Sequence, residues 1–432
     1  MKKILILTPI IPYPLSEGGI VSQYAFADYL RKKIKLIFLF ILRRESHLKA
    51  VEELSKLWPD VDIYTINCIP QKINKPRFLK IYHKTKYLIY KFVDVLSNKS
   101  NTSINKNFNI ANEDILNCVN FTEPLNKEYV EKINEIFENE KPDIIQIEHI
   151  GFLNLIFAIN KGKKILTIFV NHEIFFARLE NSGKIKNDHQ SEEYFQYIYN
   201  LTKNIEKTML KEYSAIFTFS DIDKQKLQNL LQKENIYTSP FPVLDEAFTS
   251  IEKEEFTIEK LIFVGSDVHT PNYDGLKWFI EEIFEKIYQK TQLNLEVIGK
   301  WTEENQKQFE NYKHIKFLGF VEDLNKHSRN SILVVPIRVG SGIRTKILYS
   351  MAQLTPVVTT EVGIEGIQVE DNKEVMIAKD KNEFINKINY LFLNQEAAYQ
   401  LAQNAQKFVK TNYTQEVLGN LRMKIYEKLL TK

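Results

Sequence analysis

Residues 334–352 read VVPIRVGSGIRTKILYSMA and decide how the second half of this chain folds. The aliphatic run at residues 332–335 predicts a buried strand, and the glycine-rich turn at residues 340–342 leads into an amphipathic helix. Arg344 and Lys346 lie at the start of that helix. Because free amide N–H groups and the positive end of the helix dipole attract anions, the stretch predicts a site for a diphosphate group. The alternative is an ordinary surface loop with solvated charges.

Strands alternate with helices along the whole chain, which predicts parallel sheets with helices on both faces. The second half repeats the pattern around residues 334–352, in segments that read LIFVGS, LEVIG, IKFLGF and TPVVTTEVGIEG. A proline-rich crossover at residues 238–242 is the best candidate for a linker between two domains. In the first half we expect strands at residues 4–8, 36–42, 62–67, 143–147, 165–170 and 215–219, and helices at residues 20–32, 48–58 and 222–231.

The composition agrees with a folded protein of two or three domains. A chain of 432 residues is too long for one core, and its apolar fraction of 44% is ordinary. The net charge of +3 does not require nucleic acid, and two cysteines are too few for a disulfide framework. Residues 1–9 predict a first strand rather than a signal peptide, and no apolar run approaches the ~20 residues that cross a bilayer. We therefore expect a cytoplasmic protein.

Three strands of the first half end in glycine or polar residues. Gly18 and Gly19 belong to the turn after the first strand, where open α/β sheets place their ligands. Glu148 follows the fourth predicted strand, and His172 with Glu173 follows the fifth. Because the carboxyl ends of parallel strands meet at one sheet edge, we expect these residues to gather there. The structural alternatives are a flexible turn and a histidine that is satisfied within the fold.

Residues 72–92 read KINKPRFLKIYHKTKYLIYKF, with basic residues, interleaved aromatic residues and no acidic residue. Such a segment suits an anionic membrane surface or a lipid-diphosphate acceptor. The alternative is a solvated helix whose apolar stripe packs on the core. Single-stranded nucleic acid would also tolerate this surface, but no nucleic-acid motif accompanies it, so we predict no nucleic-acid partner.

The segments quoted above resemble the second half of the group 1 nucleotide-sugar glycosyltransferases, a retaining family with the GT-B fold. The resemblance is dense from residue 261 to residue 366 and weaker over the rest of the chain. It implies two Rossmann-like α/β domains that face each other across a cleft. The implied units are an acceptor-binding domain at residues 1–242, a donor-binding domain at residues 255–413, and a terminal helix at residues 414–432 that packs back on the first domain.

The resemblance also implies roles for individual residues. Arg344 and Lys346 would grip the donor diphosphate, and His172, in the run HEIFFAR, would reach the sugar. These three form the predicted catalytic group. The predicted donor-binding residues are Gly265, Asn272, Gly340, Ser341, Gly342, Tyr349, Glu365 and Gly366, and the acceptor-side residues are Gly18, Gly19, Glu148 and Glu173.

One position departs from the family pattern. Many members read E-A-M-A where this helix has Tyr349 followed by Ser-Met-Ala, and that glutamate usually binds the donor ribose. A tyrosine cannot offer an ionised, bidentate acceptor at neutral pH. Glu361 and Glu365, in the next turn, are the nearest acidic residues that could substitute.

No metal ion and no cofactor are predicted, since the nucleoside-diphosphate sugar is itself the donor substrate. Metal-dependent glycosyltransferases commonly use an Asp-x-Asp pair, and Asp221 and Asp223 have that spacing. These two acids come where a helix begins, so capping of the helix explains them more simply.

The predicted activity is transfer of a sugar from a nucleoside-diphosphate sugar to a hydroxyl of a glycan or lipid-linked acceptor, with retention, in cell-surface polysaccharide or glycoconjugate synthesis. The protein would work in the cytoplasm or at the inner face of the membrane. The residues leave open a nucleotide-sugar epimerase on the same scaffold, or a catalytically silent glycan- or nucleotide-binding relative. A nicotinamide-dependent dehydrogenase is disfavoured, because no G-x-G-x-x-G follows the first strand.

Overall fold

Apolar runs in the first half of the chain form a parallel sheet. The computed structural model describes residues 2–15, 18–70, 124–159, 165–182, 192–340 and 342–431. The strands of the first sheet are β1 Lys3–Leu7, β2 Lys35–Leu42, β3 Asp62–Asn67, β4 Ile144–Glu148, β5 Leu166–Asn171, β6 Ala215–Thr218 and β7 Ile236–Thr238. Their order is β3-β2-β1-β4-β5-β6-β7, and every neighbouring pair is parallel.

Helices connect these strands and cover both faces of the sheet. Central strands such as β2 and β4 are buried along almost their whole length, which is why they read as continuous apolar runs. A 3₁₀ segment, Ile150–Phe157, follows β4. The described helices of this half are α1 Gly18–Arg31, α2 Glu45–Leu57, α3 Lys127–Glu140, α4 Phe175–Ser182, α5 Glu192–Glu212 and α6 Asp221–Leu231.

A second parallel sheet occupies the other half of the chain. Its strands are β8 Lys260–Val264, β9 Asn294–Ile298, β10 Ile315–Gly319, β11 Ser331–Val335, β12 Val357–Thr360 and β13 Met376–Ala378, in the order β10-β9-β8-β11-β12-β13. The helices are α7 Thr270–Phe279, α8 Glu285–Thr291, α9 Glu303–Lys307, α10 Leu324–Ser328, α11 Thr345–Ala352, α12 Lys381–Leu393, α13 Gln395–Asn412 and α14 Gln415–Leu430. A π-helical turn, Ile280–Phe284, joins α7 to α8.

Both sheets are doubly wound, so the predicted pair of Rossmann-like domains is confirmed. In the first sheet the chain reverses its direction of winding between β1 and β4, and in the second between β8 and β11. Ligands of open α/β sheets bind outside the carboxyl ends of the strands at such points. The fold therefore directs attention to the loops that follow these four strands.

Several predicted boundaries need correction. The prediction ended the first sheet at residue 219, but Ile236–Thr238 forms a further edge strand, β7, which ends at the first residue of the predicted linker. Edge strands this short carry little hydrophobic signal, since only one neighbour covers them. Helix α1 begins at Gly18, two residues before the predicted start.

Residues 72–92 lie outside the described residues, so their predicted membrane contact stays a prediction. No helix in the described ranges is long and apolar enough to cross a membrane.

The terminal helix α14 crosses back to the first sheet. Its Gln415 side chain donates a hydrogen bond to the carbonyl oxygen of Ala25 at 3.0 Å, and the hydroxyl of Tyr29 donates one to Asn420 at 2.7 Å. Gly419 allows the close approach, because a methyl group there would lie 2.1 Å from the ring of Tyr29. The helix thus covers α1, and one hydrophobic cluster includes side chains from both halves of the chain.

This contact predicts that Gly419→Ala destabilises the protein, although alanine is the better helix former by about 1 kcal/mol. The new methyl group would force apart α14 and the Tyr29 ring, at a cost of roughly 1–3 kcal/mol. Gly151→Ala is the matched control, since a methyl group at Gly151 meets no described atom within 4 Å. Thermal unfolding of the two variants measures the difference. Equal melting temperatures would contradict the packing of α14 on α1.

Candidate active site

Helix N-termini from the two domains meet at the cleft. A methyl group at Gly18, at the start of α1, would lie 2.3 Å from the hydroxyl oxygen of Thr345, at the start of α11. A methyl group at Gly366 would lie 3.1 Å from Cβ of Ser220, just before α6. At Gly19, the residue after Gly18, a methyl group would meet no described atom within 4 Å. The positive ends of the α1, α6 and α11 helix dipoles therefore point toward the cleft.

Arg344 occupies the N-cap position of α11 and is partly buried. Its guanidinium donates a hydrogen bond to the carbonyl oxygen of Gly342. Burial lowers the pKa of Arg344, and the negative charges of Glu365, Glu173 and Asp223 oppose that shift. Glu173 and Asp223 belong to the first domain, so the guanidinium lies at the junction of the two domains. Among the described residues, no carboxylate lies within ion-pair distance of Arg344.

Lys346 lies beside Arg344 and has neutral partners. Its Nζ donates a hydrogen bond to Oδ1 of Asn272 at 2.9 Å and lies 5.1 Å from the centre of the Phe263 ring. Burial lowers the pKa of Lys346 to about 7, and repulsion from Arg344 adds to the shift. Two adjacent cations that have no ion-pair partner among the described residues form an arrangement that an anionic ligand would stabilise.

Two glycines shape this pocket. A methyl group at Gly265 would lie 2.8 Å from the side-chain amide of Asn272, so a larger residue would displace the partner of Lys346. Gly340 has φ +119°, which L-residues rarely adopt, and a methyl group there would lie 3.1 Å from Nη2 of Arg344. Both glycines thus permit the observed positions of the cations. Ser341, also predicted as a donor-binding residue, lies outside the described residues.

Tyr349 follows Lys346 by one helical turn and contacts the segment between the domains. Its hydroxyl accepts a hydrogen bond from the backbone N–H of Leu244 at 3.4 Å, and burial raises its pKa. Of the two predicted substitutes for the family glutamate, Glu365 is partly buried and interacts with the guanidinium described above, whereas Glu361 is exposed. The role of Tyr349 toward a ribose stays a prediction.

His172 and Glu148 lie together on the first-domain side of the cleft. His172 Nε2 is 3.2 Å from Oε2 of Glu148. Because a carboxylate accepts, Nε2 carries the proton in this contact and Nδ1 remains for another partner. The His172 ring stacks on His149, with 3.6 Å between ring centres, and meets the ring of Phe219 edge-on at 4.9 Å. The imidazole is therefore fixed from three sides.

His149 was not among the predicted site residues. Its φ of +67° is unusual for an L-residue, and burial lowers the pKa of its ring well below the ordinary value, with an electrostatic contribution from the adjacent His172. Strained backbone of this type concentrates at functional sites. Its position directly after Glu148 was the signal that could have identified it.

The ligand atoms of Glu148, His149 and His172 lie within 4.8 Å of one another, which raises the question of a metal ion. The two imidazole rings are stacked with their planes only 21° apart, so the in-plane lone pairs of their nitrogens lie in two separate, nearly parallel planes and do not converge on one point. The donor set therefore does not fit a tetrahedral ion.

The Asp-x-Asp pair, Asp221 and Asp223, lies in the first turn of α6. The N–H of Asp223 donates a hydrogen bond to Oγ of Ser220, which caps this helix, so capping is found at the predicted helix start.

Glu173 and a buried glutamate organise the loop after β5. Glu173 forms an ion pair with Arg178 at 3.1 Å. The carboxylate of Glu206 accepts hydrogen bonds from the N–H groups of Phe175 and Phe176, and burial raises its pKa to about 7. Sequence reasoning missed Glu206, although it lies in the buried stripe of α5, where a carboxylate is unusual.

The part of the chain that contains the cationic pocket matches a known protein family. Residues 258–394, which contain β8 to β13 and the pocket of Arg344, match the family model described as Glycosyl transferases group 1. This segment, rather than the whole chain, is similar to the group 1 glycosyl transferases.

The whole chain has the GT-B fold of solved glycosyltransferases. The crystal structure of TarM, a protein of S. aureus, superposes with a TM-score of 0.65 at 12% identity over 99% of both chains. Sucrose-phosphate synthase from Thermosynechococcus elongatus gives 0.65 at 12% identity over 100% of both chains. Anabaena HepE in complex with UDP and glucose gives 0.63 at 12% identity over 99% of this chain and 100% of that one. At such identities the likeness establishes the fold alone.

Curated relatives match only in part. An uncharacterized 44.6 kDa protein in the cps region of Klebsiella pneumoniae is 25% identical over 163 residues, which is 35% of this chain and 42% of that protein. Trehalose synthase of Thermococcus litoralis is 28% identical over 91 residues, 21% of this chain and 22% of the enzyme. The chain therefore spans less than half the length of the curated relatives it matches.

The pKa of Lys346 predicts a pH-dependent effect of Lys346→Met on stability. In the folded state Lys346 titrates at about 7, and in the unfolded state near 10.5, so unfolding takes up a proton between these values. The lysine is most destabilising at and below pH 7, and its cost falls as the pH rises toward 10.5. Between pH 6.5 and 10, we expect the Lys346→Met variant to melt at a higher temperature than the natural protein at low pH and at the same temperature at high pH. Lys407→Met, at an exposed site, is the control, and a constant difference at Lys346 across the range would contradict the shift.

Tyr349→Phe separates a contact with Leu244 from a contact with a ribose. Loss of the hydroxyl leaves the N–H of Leu244 without this partner, which should cost about 0.5–1.5 kcal/mol of stability. If that contact is the main role of the hydroxyl, the affinity for nucleoside diphosphates stays the same. Calorimetric titration with a nucleoside diphosphate, alongside thermal unfolding, gives both values. A weaker nucleotide affinity with unchanged stability would instead support ribose binding by Tyr349.

Proposed function

We propose that this protein transfers a sugar from a nucleoside-diphosphate sugar to a hydroxyl group of a glycan or lipid-linked acceptor, with retention of anomeric configuration. The observation that carries the proposal is the pair of partly buried cations at the start of α11, which have no carboxylate within ion-pair distance among the described residues. The match of residues 258–394 to group 1 glycosyltransferases supports the same reading.

The donor diphosphate would bind at Arg344 and Lys346. Departure of the nucleoside diphosphate builds negative charge on its terminal phosphate. The guanidinium, the ammonium group and the N-terminus of α11 would stabilise that charge, and a pKa of about 7 lets Lys346 become fully protonated when the anion arrives. Binding of the diphosphate would thus give both cations an ion-pair partner, which neither has among the described residues.

The sugar would lie between this pocket and His172. Since Nε2 of His172 is engaged by Glu148, Nδ1 is the atom that would contact a sugar hydroxyl. Attack by the acceptor from the same face as the departing phosphate, which takes the hydroxyl proton, would give retention without a protein nucleophile. The open space beside Gly19 would admit the phosphates or the acceptor.

We infer that uridine diphosphate is the first donor nucleotide to test and that the acceptor is a cell-surface glycan precursor. Two observations on other proteins support this choice. HepE has been solved with UDP, glucose and UDP-glucose, and TarM with UDP. The Klebsiella relative lies in a cps region.

Arg344→Ala should reduce transfer by roughly 100-fold or more while the fold stays intact, because the strongest donor to the leaving diphosphate is removed. Arg338→Ala is the matched control: Arg338 lies in the same loop but is exposed and paired with Asp274 at 2.6 Å. Transfer is measured with labelled UDP-sugars and a panel of glycan acceptors, and circular dichroism monitors the fold. Full turnover by the Arg344 variant would remove this residue from the mechanism.

The same assay distinguishes the alternative activities. An epimerase would convert the donor without any acceptor, and a silent relative would bind nucleotide without breaking the sugar–phosphate bond. Slow release of UDP from donor and water alone would support a transferase, because water can replace the acceptor hydroxyl.

A further inference from the structure

A line of buried hydrogen bonds connects the terminal helix to His172. The hydroxyl of Tyr426, on α14, donates to the side-chain carbonyl of Gln146, on β4. The amide nitrogen of Gln146 donates to Oε1 of Glu148 at 2.6 Å, and Oε2 of Glu148 faces His172 Nε2 at 3.2 Å. Gln146, Glu148 and Tyr426 are each at most 4% exposed. Residues 280 positions apart in the chain thus join one network.

The direction of each bond is determined by chemistry. Burial raises the pKa of Tyr426, so its hydroxyl keeps its proton and acts as the donor. This fixes the Gln146 side chain with its carbonyl toward the tyrosine and its NH₂ toward Glu148. Each oxygen of the buried carboxylate then has one donor. Without the tyrosine hydroxyl, the buried carbonyl oxygen of Gln146 loses this donor, and the amide group that bonds Glu148 is no longer held from its other side.

A buried cation on the same helix supports this arrangement. Arg422 lies one turn before Tyr426, is 2% exposed, and stacks on Phe26 with 3.4 Å from its guanidinium carbon to the ring centre. Its Nε donates to Oγ of Ser239 at 2.9 Å. Arg422 and Glu148 attract each other through the interior. The terminal helix therefore brings both a hydrogen-bond donor and a positive charge beneath the carboxylate that holds His172.

We propose that Tyr426 and Gln146 are positioning residues for His172, so that α14 completes the active site of the first domain. The proposal rests on the proposed function, in which His172 faces the sugar. It goes further because it assigns the orientation of His172 to α14, a helix that follows the second sheet in the sequence. The donor pocket at Arg344 and Lys346 has no bond to this network among the described residues, so the two parts of the site should respond separately to mutation.

The test compares Tyr426→Phe with Tyr29→Phe. Both lose one phenol hydroxyl at the packing surface of α14, but Tyr29 bonds Asn420 and has no link to Gln146. We expect Tyr426→Phe to lower kcat by roughly tenfold or more with the donor KM unchanged, since misplacement of a contacting group slows the reaction step. Tyr29→Phe should leave both values near those of the natural protein.

A spectroscopic measurement reports on the histidine itself. The Nε2–H proton of His172, held by a carboxylate, should give a protected downfield ¹H resonance. We expect this resonance to be lost or broadened in Tyr426→Phe and in Gln146→Met, and retained in Tyr29→Phe. Because the two residues act along one line, the double variant should have the same kcat as the more affected single variant.

The outcomes separate this inference from the proposed function. Wild-type resonance and kcat in Tyr426→Phe would overturn it, and so would a lower kcat explained by a lower melting temperature with the resonance intact. If no donor and acceptor support transfer, the proposed function fails. The resonance of His172 in the three variants still decides whether α14 positions the histidine.

Discussion

The structure depends on holding two cations side by side at the start of one helix. Arg344 and Lys346 repel each other, and burial lowers the pKa of both. The cost is offset by the opposite face of α11, where Ile347, Leu348 and Met351 are buried almost completely. The helix is thus fixed by its apolar side, while the two cations of its first turn have no carboxylate within ion-pair distance among the described residues. A bound anion would stabilise both cations.

The second half of the site depends on a different principle. His172 has a carboxylate at one ring nitrogen, a stacked imidazole on one face and an aromatic edge nearby, so its orientation comes from packing rather than from a ligand. The carboxylate of Glu148 is buried, which requires donors for both of its oxygens. Gln146 on β4 donates to one oxygen, and His172 in the loop after β5 donates to the other. Tyr426 on the terminal helix in turn bonds Gln146. The candidate site thus combines a cationic pocket at Arg344 and Lys346 with a histidine, His172, that the protein itself holds in place.

Local sequence was sufficient for the cationic pocket. A strand, a glycine turn and a helix start within about twenty residues place Arg344 and Lys346 at one helix N-terminus whatever the rest of the fold. The meeting of Glu148 and His172 could also be predicted, because both follow strands of one parallel sheet. Other features could not. The link of Tyr426 to Gln146 spans most of the chain, the stacking of His149 depends on a backbone conformation that its residue type does not favour, and the strand Ile236–Thr238 is too short to carry a pattern.

The sequence by itself determined the class of fold, the identity of the cationic helix and the sheet edges where the predicted site residues lie, because these follow from hydrophobic periodicity and from neighbours within a few residues. Only the tertiary structure decided which groups meet across the cleft, which carboxylates act on Arg344, and how α14 reaches the first sheet. The physical reason is that charge, burial and hydrogen-bond direction are properties of surroundings. Those surroundings are assembled from residues hundreds of positions apart, where no local pattern carries information about the partner.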